Sequence, residues 1–200
     1  MTEYLYEVTD VPASKGETPW QTVGPFFHDA LPFPDGSAIV GAARPGAFTL
    51  HGQVYDGDGA PIPDALLEVW QADEEGTFNQ QPGIFAAPAE DGFRGFGRSD
   101  TDAEGHYTFT TVKPAGVPTE DGVQQAPHLA VSVFARGMLR RAVTRIYFED
   151  SPENTADPFL SSVEDGRAGT LVATREEGGY RFDVRLQGAD ETVFLDVSTH

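Results

Sequence analysis

The run Ala126-Pro127-His128-Leu129-Ala130-Val131-Ser132-Val133-Phe134-Ala135-Arg136 carries the chain's most explicit chemistry. Apolar Leu129, Val131, Val133 and Ala135 alternate with His128, Ala130, Ser132, Phe134 and Arg136. That is the period of a strand, in which residues two apart share a face. Two histidines at this spacing could grip one metal ion together, but the second place holds Ala130. A strand shaped for a metal site yet missing a ligand points to a subunit whose chemistry takes place in a partner. Arg136 lies eight residues beyond His128, on the order of 26 Å along an unbroken strand. It is poorly placed to serve His128 and could reach another chain's site. A guanidinium offers a carboxylate a planar two-pronged donor. Arg136, Arg140, Arg141 and Arg145 put four of the thirteen basic residues within ten positions. The same cluster also reads as an ordinary basic surface turn.

Those residues need a scaffold, and the chain supplies short strands. Phe48 to Tyr55 alternates and runs into Asp56-Gly57-Asp58-Gly59, a strong turn signal. Leu66 to Trp70, Tyr107 to Val112, Leu129 to Phe134 and Thr144 to Phe148 read as further strands. Leu171 to Thr174 and Tyr180 to Leu186 flank Glu-Glu-Gly-Gly as a hairpin, and Thr192 to Val197 reads as a last strand. Residues 71–98 read mostly as loop. Asp157-Pro158 gives an N-cap with proline at the first helical position, and Gly166 a downstream stop. The expected fold is all-β: a β-sandwich core with long loops, an extended N-terminal arm and one or two short helices. Residues 1–47 form the arm, whose Trp20, Phe26, Phe27 and Phe33 argue against a disordered leader. Residues 48–200 form the sandwich domain.

Composition narrows the partners. A formal charge of −19, from 32 acidic and 13 basic residues, argues against nucleic acid or an anionic membrane as partner. With no cysteine there is no disulfide, thiolate metal site or thiol nucleophile. The start Met-Thr-Glu-Tyr-Leu-Tyr-Glu lacks a signal peptide's basic and apolar regions. No stretch has the length of a membrane span. A cytoplasmic protein is expected.

Several motifs in order resemble the intradiol ring-cleavage dioxygenases. They are Thr18-Pro19-Trp20-Gln21-Thr22-Val23-Gly24-Pro25-Phe26, Leu50-x-Gly52-x-Val54, and Leu67-Glu68-Val69-Trp70-Gln71-Ala72-Asp73 with Gly76-x-Phe78. Gly105-x-Tyr107-x-Phe109-x-Thr111-Val112-Lys113-Pro114, Phe134-Ala135-Arg136-Gly137 and Thr144-Arg145-Ile146-Tyr147-Phe148 complete the set. Catalytic members of that family hold a non-haem Fe(3+) ion with two tyrosinates and two histidines. Anionic phenolate stabilises the hard ferric ion, which binds the catechol as a dianion and activates its ring toward dioxygen.

Carried over position by position, the ligand set fails in this chain. Val117 replaces the tyrosine after the Lys-Pro run, Phe85 falls near the other tyrosine, and the histidine pair becomes His128 and Ala130. The arginine before the histidines becomes Gln125, and a glutamine before the Tyr-Phe run becomes Arg145. The resemblance therefore implies a non-metallated, alpha-type subunit with no catalytic residue of its own, inactive alone. Its partner would be an iron-bearing beta subunit, in a hetero-oligomer of repeated alpha-beta pairs. The reaction implied opens 3,4-dihydroxybenzoate, a small aromatic acid, to 3-carboxy-cis,cis-muconate in the beta-ketoadipate pathway of aromatic catabolism. In such subunits the arginine matching Arg136 reaches the partner's iron site and helps bind substrate. The segment matching Thr22, Gly24, Pro25 and Phe26 lines the mouth of that site.

Two other readings compete. A stand-alone β-sandwich binding module would have no neighbour's site for Arg136 and the arm to serve. An independent metalloenzyme would combine His128 with carboxylates such as Glu68, Asp73, Glu90 or Asp91, though scattered acids in so acidic a chain read first as solvated faces. His128 alone reads as a hydrogen-bonded structural residue, and His28, His51, His106 and His200 share no ligand spacing.

Overall fold

The computed structural model describes residues 24, 26–79, 86–164 and 166–196. Strands form at the expected places: the alternating β1 (Phe48–Tyr55), β4 (His106–Thr111) and β5 (His128–Phe134), and the more continuously apolar β2 (Leu66–Trp70) and β6 (Ala142–Phe148). β3 (Phe96–Asp100) lies in a stretch expected to be loop. β7 (Val172–Glu176) and β8 (Gly179–Arg181) make the expected hairpin, and β9 (Val184–Arg185) follows. Two short helices, α1 (Phe27–Ala30) and α2 (Pro158–Ser162), are the α-helical elements among the described residues.

The strands follow one path, β3-β2-β5-β6-β7-β8-β1-β4, with β9 added beside β1. β3, β2, β5 and β6 are mutually antiparallel and make one layer. β8, β1 and β4 make the other, and β7 links the two by pairing parallel to β6 and antiparallel to β8. The open ends of the path approach each other where Thr108 N donates to Ser99 Oγ at 3.3 Å. The all-β sandwich expected from the sequence is the fold observed. Between the layers lie Leu50, Val54, Leu67, Val69, Phe109, Leu129, Val131, Val133, Ile146 and Phe148, all essentially without exposed surface. Within β5 this inward set leaves His128, Ala130, Ser132 and Phe134 on the outer face.

One loop design recurs. At Asp56, Asp73 and Asp102 the side chain accepts from the backbone N–H two and four residues on, at 2.8–3.0 Å. The third residue after each is a glycine at φ near +80°. Thr119 begins a fourth copy, its Oγ1 accepting from Val123 N while Gly122 takes φ +80°. A short polar side chain bonding its own turn, followed by a residue free to adopt positive φ, closes a hairpin tightly.

Two expectations need correction. β3 was hidden because its centre is Gly97, where an added Cβ would lie 2.5 Å from Ile39 and 3.0 Å from Phe109. Residues 192–196 are extended without strand pairing. Single hydrogen bonds (Thr192 N to Arg185 O, Leu195 N to Val143 O) tie them down instead.

α2 ends at Ser162, ahead of the expected stop at Gly166. Its start is as read: the Asp157 side chain accepts from Phe159 N and Leu160 N, both at 2.9 Å. Asp157 has no exposed surface and also accepts from Ala126 N at 2.8 Å. Asp157→Ala is expected to cost about 2–4 kcal/mol, the sum of a lost cap and newly unpaired buried N–H groups. Urea denaturation measures this, and a loss within error of zero would show the carboxylate to be dispensable.

Candidate functional site

β5 and β6 pair so that His128 faces Tyr147 and Ala130 faces Arg145. Arg145 and Tyr147, two apart on β6, thus share the outer face with His128 and Ala130. The rings of His128 and Tyr147 lie 5.5 Å apart. Arg145 Nη1 donates to Gln125 Oε1 at 2.7 Å and to Tyr147 Oη at 3.2 Å, and its guanidinium lies 5.2 Å over the Phe159 ring. Tyr147 Oη in turn donates to Asp157 Oδ1 at 3.1 Å.

The loop bearing Val117 closes the other side. Gln125 donates to the Val117 carbonyl from its backbone N (3.1 Å) and its Nε2 (3.2 Å). Gly116 permits this approach, since a Cβ there would lie 2.1 Å from the Gln125 carbonyl oxygen. The structure therefore gathers Val117, Gln125, His128, Ala130, Arg145 and Tyr147 into one neighbourhood.

His128 Nδ1 lies 2.8 Å from the Ala126 carbonyl oxygen. A carbonyl only accepts, so Nδ1 carries the proton and a neutral ring presents a lone pair at Nε2. Burial holds the imidazole below its usual pKa, reinforced by Arg145 and opposed by the Ala126 bond. A ring nitrogen tied to a backbone carbonyl is how metal-binding histidines are oriented. The other positions do not follow. Val117 and Ala130 offer no donor atom, and the charged groups nearby are the Arg145 guanidinium and the Asp157 carboxylate, whose oxygens are taken up by three backbone N–H groups and the Tyr147 hydroxyl. One imidazole beside a fixed cation does not fit a ferric ion, which needs anionic oxygen. Burial also pushes the Tyr147 phenol up to about 12, and its hydroxyl proton is given to Asp157.

The remaining expected positions lie elsewhere. Phe85, Thr22 and Pro25 fall outside the described residues. Gly24 has φ +84°, and Phe26 is 72% exposed just before α1. Arg136 sits in the turn beyond β5, at the opposite end of that strand from His128. Its side chain is 62% exposed and pairs with Asp64 at 2.6 Å. Of the carboxylates considered as ligands, Glu68 bonds Arg98, while Asp73 caps its own turn. Among the described residues the acids and histidines converge at Asp102, Glu104 and His106, which are exposed on the β3–β4 turn that Asp102 organises. Tyr147 and Phe159 were not singled out from the sequence. The two-residue spacing from Arg145 identifies Tyr147, whereas Phe159 arrives only through tertiary packing.

The lowered basicity of His128 has a testable sign. Below about pH 6.5 the unfolded imidazole takes up a proton that the folded one resists. Stability is therefore fully present above that pH and declines as the pH falls toward the folded value. The difference in unfolding free energy between wild type and His128→Gln should shrink from pH 7 to pH 5. Denaturant melts across that range measure it, and a difference independent of pH would contradict the buried neutral ring.

Residues 24–188 match the Dioxygenase_C family model, described as "Dioxygenase". The protocatechuate 3,4-dioxygenase alpha chain of Burkholderia cepacia is 42% identical, over 90% of this chain and 98% of its own. The beta chain of the same name from Burkholderia cepacia is 32% identical, over 86% of this chain and 76% of its own. The solved dioxygenase domain of a dioxygenase carbohydrate-binding protein fusion from Streptomyces sp. SirexAA-E matches with a TM-score of 0.56. It shares 28% identity, over 87% of this chain and 100% of that one. The family depends on non-haem iron. A family model matching residues 24–188 and a relative 42% identical over 90% of this chain make the chain a member of the intradiol ring-cleavage dioxygenase family.

Proposed function

We propose that this chain is the non-metallated alpha subunit of a heteromeric protocatechuate 3,4-dioxygenase, working with an iron-bearing beta subunit of the same family in repeated alpha-beta pairs. The assembly opens 3,4-dihydroxybenzoate with dioxygen to 3-carboxy-cis,cis-muconate. Both oxygen atoms enter the product and no external reductant is needed. The observation that carries this reading is the pocket at His128. It keeps an oriented imidazole but has Ala130 and Val117 where metal-binding groups would be required, with the Arg145 guanidinium beside them. Likeness to an alpha chain over nearly the whole length and to a beta chain over most of it supports the two-chain assembly.

This chain's own contribution would be made at the partner's site. Arg136 would bind the ring carboxylate of the substrate through two parallel hydrogen bonds. Its present partner is Asp64, at 2.6 Å, and with 62% of the Arg136 side chain exposed the guanidinium remains open to a second carboxylate. Thr22, Gly24, Pro25 and Phe26 would line the mouth of that site. The exposed Phe26 ring supports that role, and residues 1–47 would act as the arm that carries it. The cysteine-free composition suits a reducing cytoplasm.

Elemental analysis of the chain produced without partner should give sub-stoichiometric iron and no phenolate-to-iron colour, with iron appearing on co-expression. Stoichiometric iron in the lone chain would overturn the reading. In the assembled complex, Arg136→Ala should lower kcat/KM by about 2–4 kcal/mol, roughly thirty- to several-hundred-fold, with iron content unchanged. Wild-type kinetics in that variant would remove Arg136 from the site.

A further inference from the structure

The chain enters the sandwich at the seam between β3 and β4. Arg98 N on β3 donates to the Gly36 carbonyl at 2.8 Å, and Thr110 N on β4 donates to the Ser37 carbonyl at 2.9 Å. Residues 36 and 37 are thus stitched to both strands. Ahead of them stands α1, a single turn of helix. The Phe26 carbonyl accepts from Asp29 N at 3.2 Å and from Ala30 N at 2.9 Å. The exposed Phe26 ring therefore moves only as α1 moves.

Two side chains hold α1. Phe27, 4% exposed, seats it by burial, which is not directional. Arg98 supplies the direction. Its Nη1 donates at 2.7 Å to the carbonyl of Leu31, the residue that closes α1. The rest of the guanidinium is engaged on the sandwich. The register sets Glu68 of β2 directly across from Arg98, and Nε and Nη2 donate to Glu68 Oε1 at 2.9 and 2.5 Å. The same cation lies 5.6 Å from the Phe33 ring and 5.7 Å from the Phe96 ring, which are themselves stacked at 6.4 Å. Only 12% of the Arg98 side chain is exposed. A planar fork serves a carboxylate and a carbonyl at once and packs against rings, which a lysine ammonium on its flexible stem does not. Leu31 and Phe26 are five residues apart, about 8 Å at the helical rise. A tilt at Leu31 is therefore carried to the Phe26 ring.

We infer that Arg98 is a positioning residue for the partner's active site: its fork, aimed by Glu68, sets the angle of α1 and so the place of the Phe26 ring at the mouth. The inference rests on the role proposed above for the arm. Arg98 is spent on groups of its own chain, so its effect reaches substrate binding through Phe26 and leaves the reacting atoms untouched. An ion pair that served stability alone would depend on Glu68 and not on the bond to Leu31.

Steady-state kinetics of the alpha-beta assembly with 3,4-dihydroxybenzoate test this. Arg98→Met combined with Glu68→Gln removes the fork without stranding a carboxylate. Glu68→Gln alone keeps an acceptor for Arg98 and leaves the Leu31 bond in place. The double variant should raise KM roughly fivefold or more, with kcat and iron content within about twofold of wild type. Glu68→Gln alone should keep the wild-type KM. Arg98→Lys, a milder change should the double variant fail to assemble, should also raise KM at unchanged kcat. Hydrogen exchange at Ala30 and Leu31 in the same assemblies should quicken in both Arg98 variants. A wild-type KM in the Arg98 variants overturns the inference, whatever the exchange rates. So does a loss of kcat and iron in step with KM, which marks a purely structural role. Phe26→Ala is measured in parallel. If it raises KM and the Arg98 variants do not, the positioning role fails while the subunit assignment stands. If it leaves KM unchanged, the arm has no part in the site and this inference falls with it.

Discussion

Asp157 sets the geometry at the end of the sandwich where His128 lies. Taking a carboxylate wholly out of water is costly unless donors surround it, and here three backbone N–H groups and the Tyr147 hydroxyl converge on it. Those donors come from the approach to β5, from β6 and from the first turn of α2, so one side chain fixes three segments. The consequence reaches His128 through a single residue. Ala126 gives its N–H to Asp157 and its carbonyl to His128 Nδ1. With that peptide pinned from both sides, the tautomer and angle of the imidazole follow.

The pocket combines an intact support with altered occupants. The carbonyl that orients His128, the buried tyrosine beside it and the close approach at Gly116 are all in place. Around that support stand a methyl group at 130, the loop carrying Val117, and a guanidinium bonded to Gln125. Arg145 does for packing what an ion would do by coordination. It ties the Val117–Gln125 loop to β6 with one positive charge, and it lies over Phe159 to join α2 as well. The site is therefore firmly built around a fixed positive charge.

Much of this was legible in the sequence, for local reasons. Period-two alternation exposed β1, β4 and β5, more continuously apolar runs exposed β2 and β6, and Asp157-Pro158 marked the start of α2. Of the four recurring loops, only Asp56-Gly57-Asp58-Gly59 stands out. Asp73-Glu74-Glu75-Gly76, Asp102-Ala103-Glu104-Gly105 and Thr119-Glu120-Asp121-Gly122 repeat its logic with fewer glycines. The failures have tertiary causes. Gly97 looks like a strand breaker until Ile39 and Phe109 press on it from the core. Residues 192–196 alternate well but find no continuous edge to pair with. Within the site, His128, Ala130 and Arg145 could be placed from spacing. Their link to Asp157 and Phe159 crosses a connection no local pattern encodes.

β1 takes one neighbour from the middle of the chain and the other from near its end. Thr49–His51 pair with Gly179–Arg181, and Val54–Tyr55 with Val184–Arg185, about 130 residues later. On the ribosome, β1 must wait with one edge open until the residues that pair with it, about 130 positions later, have been made. An open edge is a template for unwanted pairing, and contacts so distant in sequence form slowly. Synthesis order thus makes the sandwich a structure that closes late. Until those residues arrive, the nascent chain carries an unpaired strand edge.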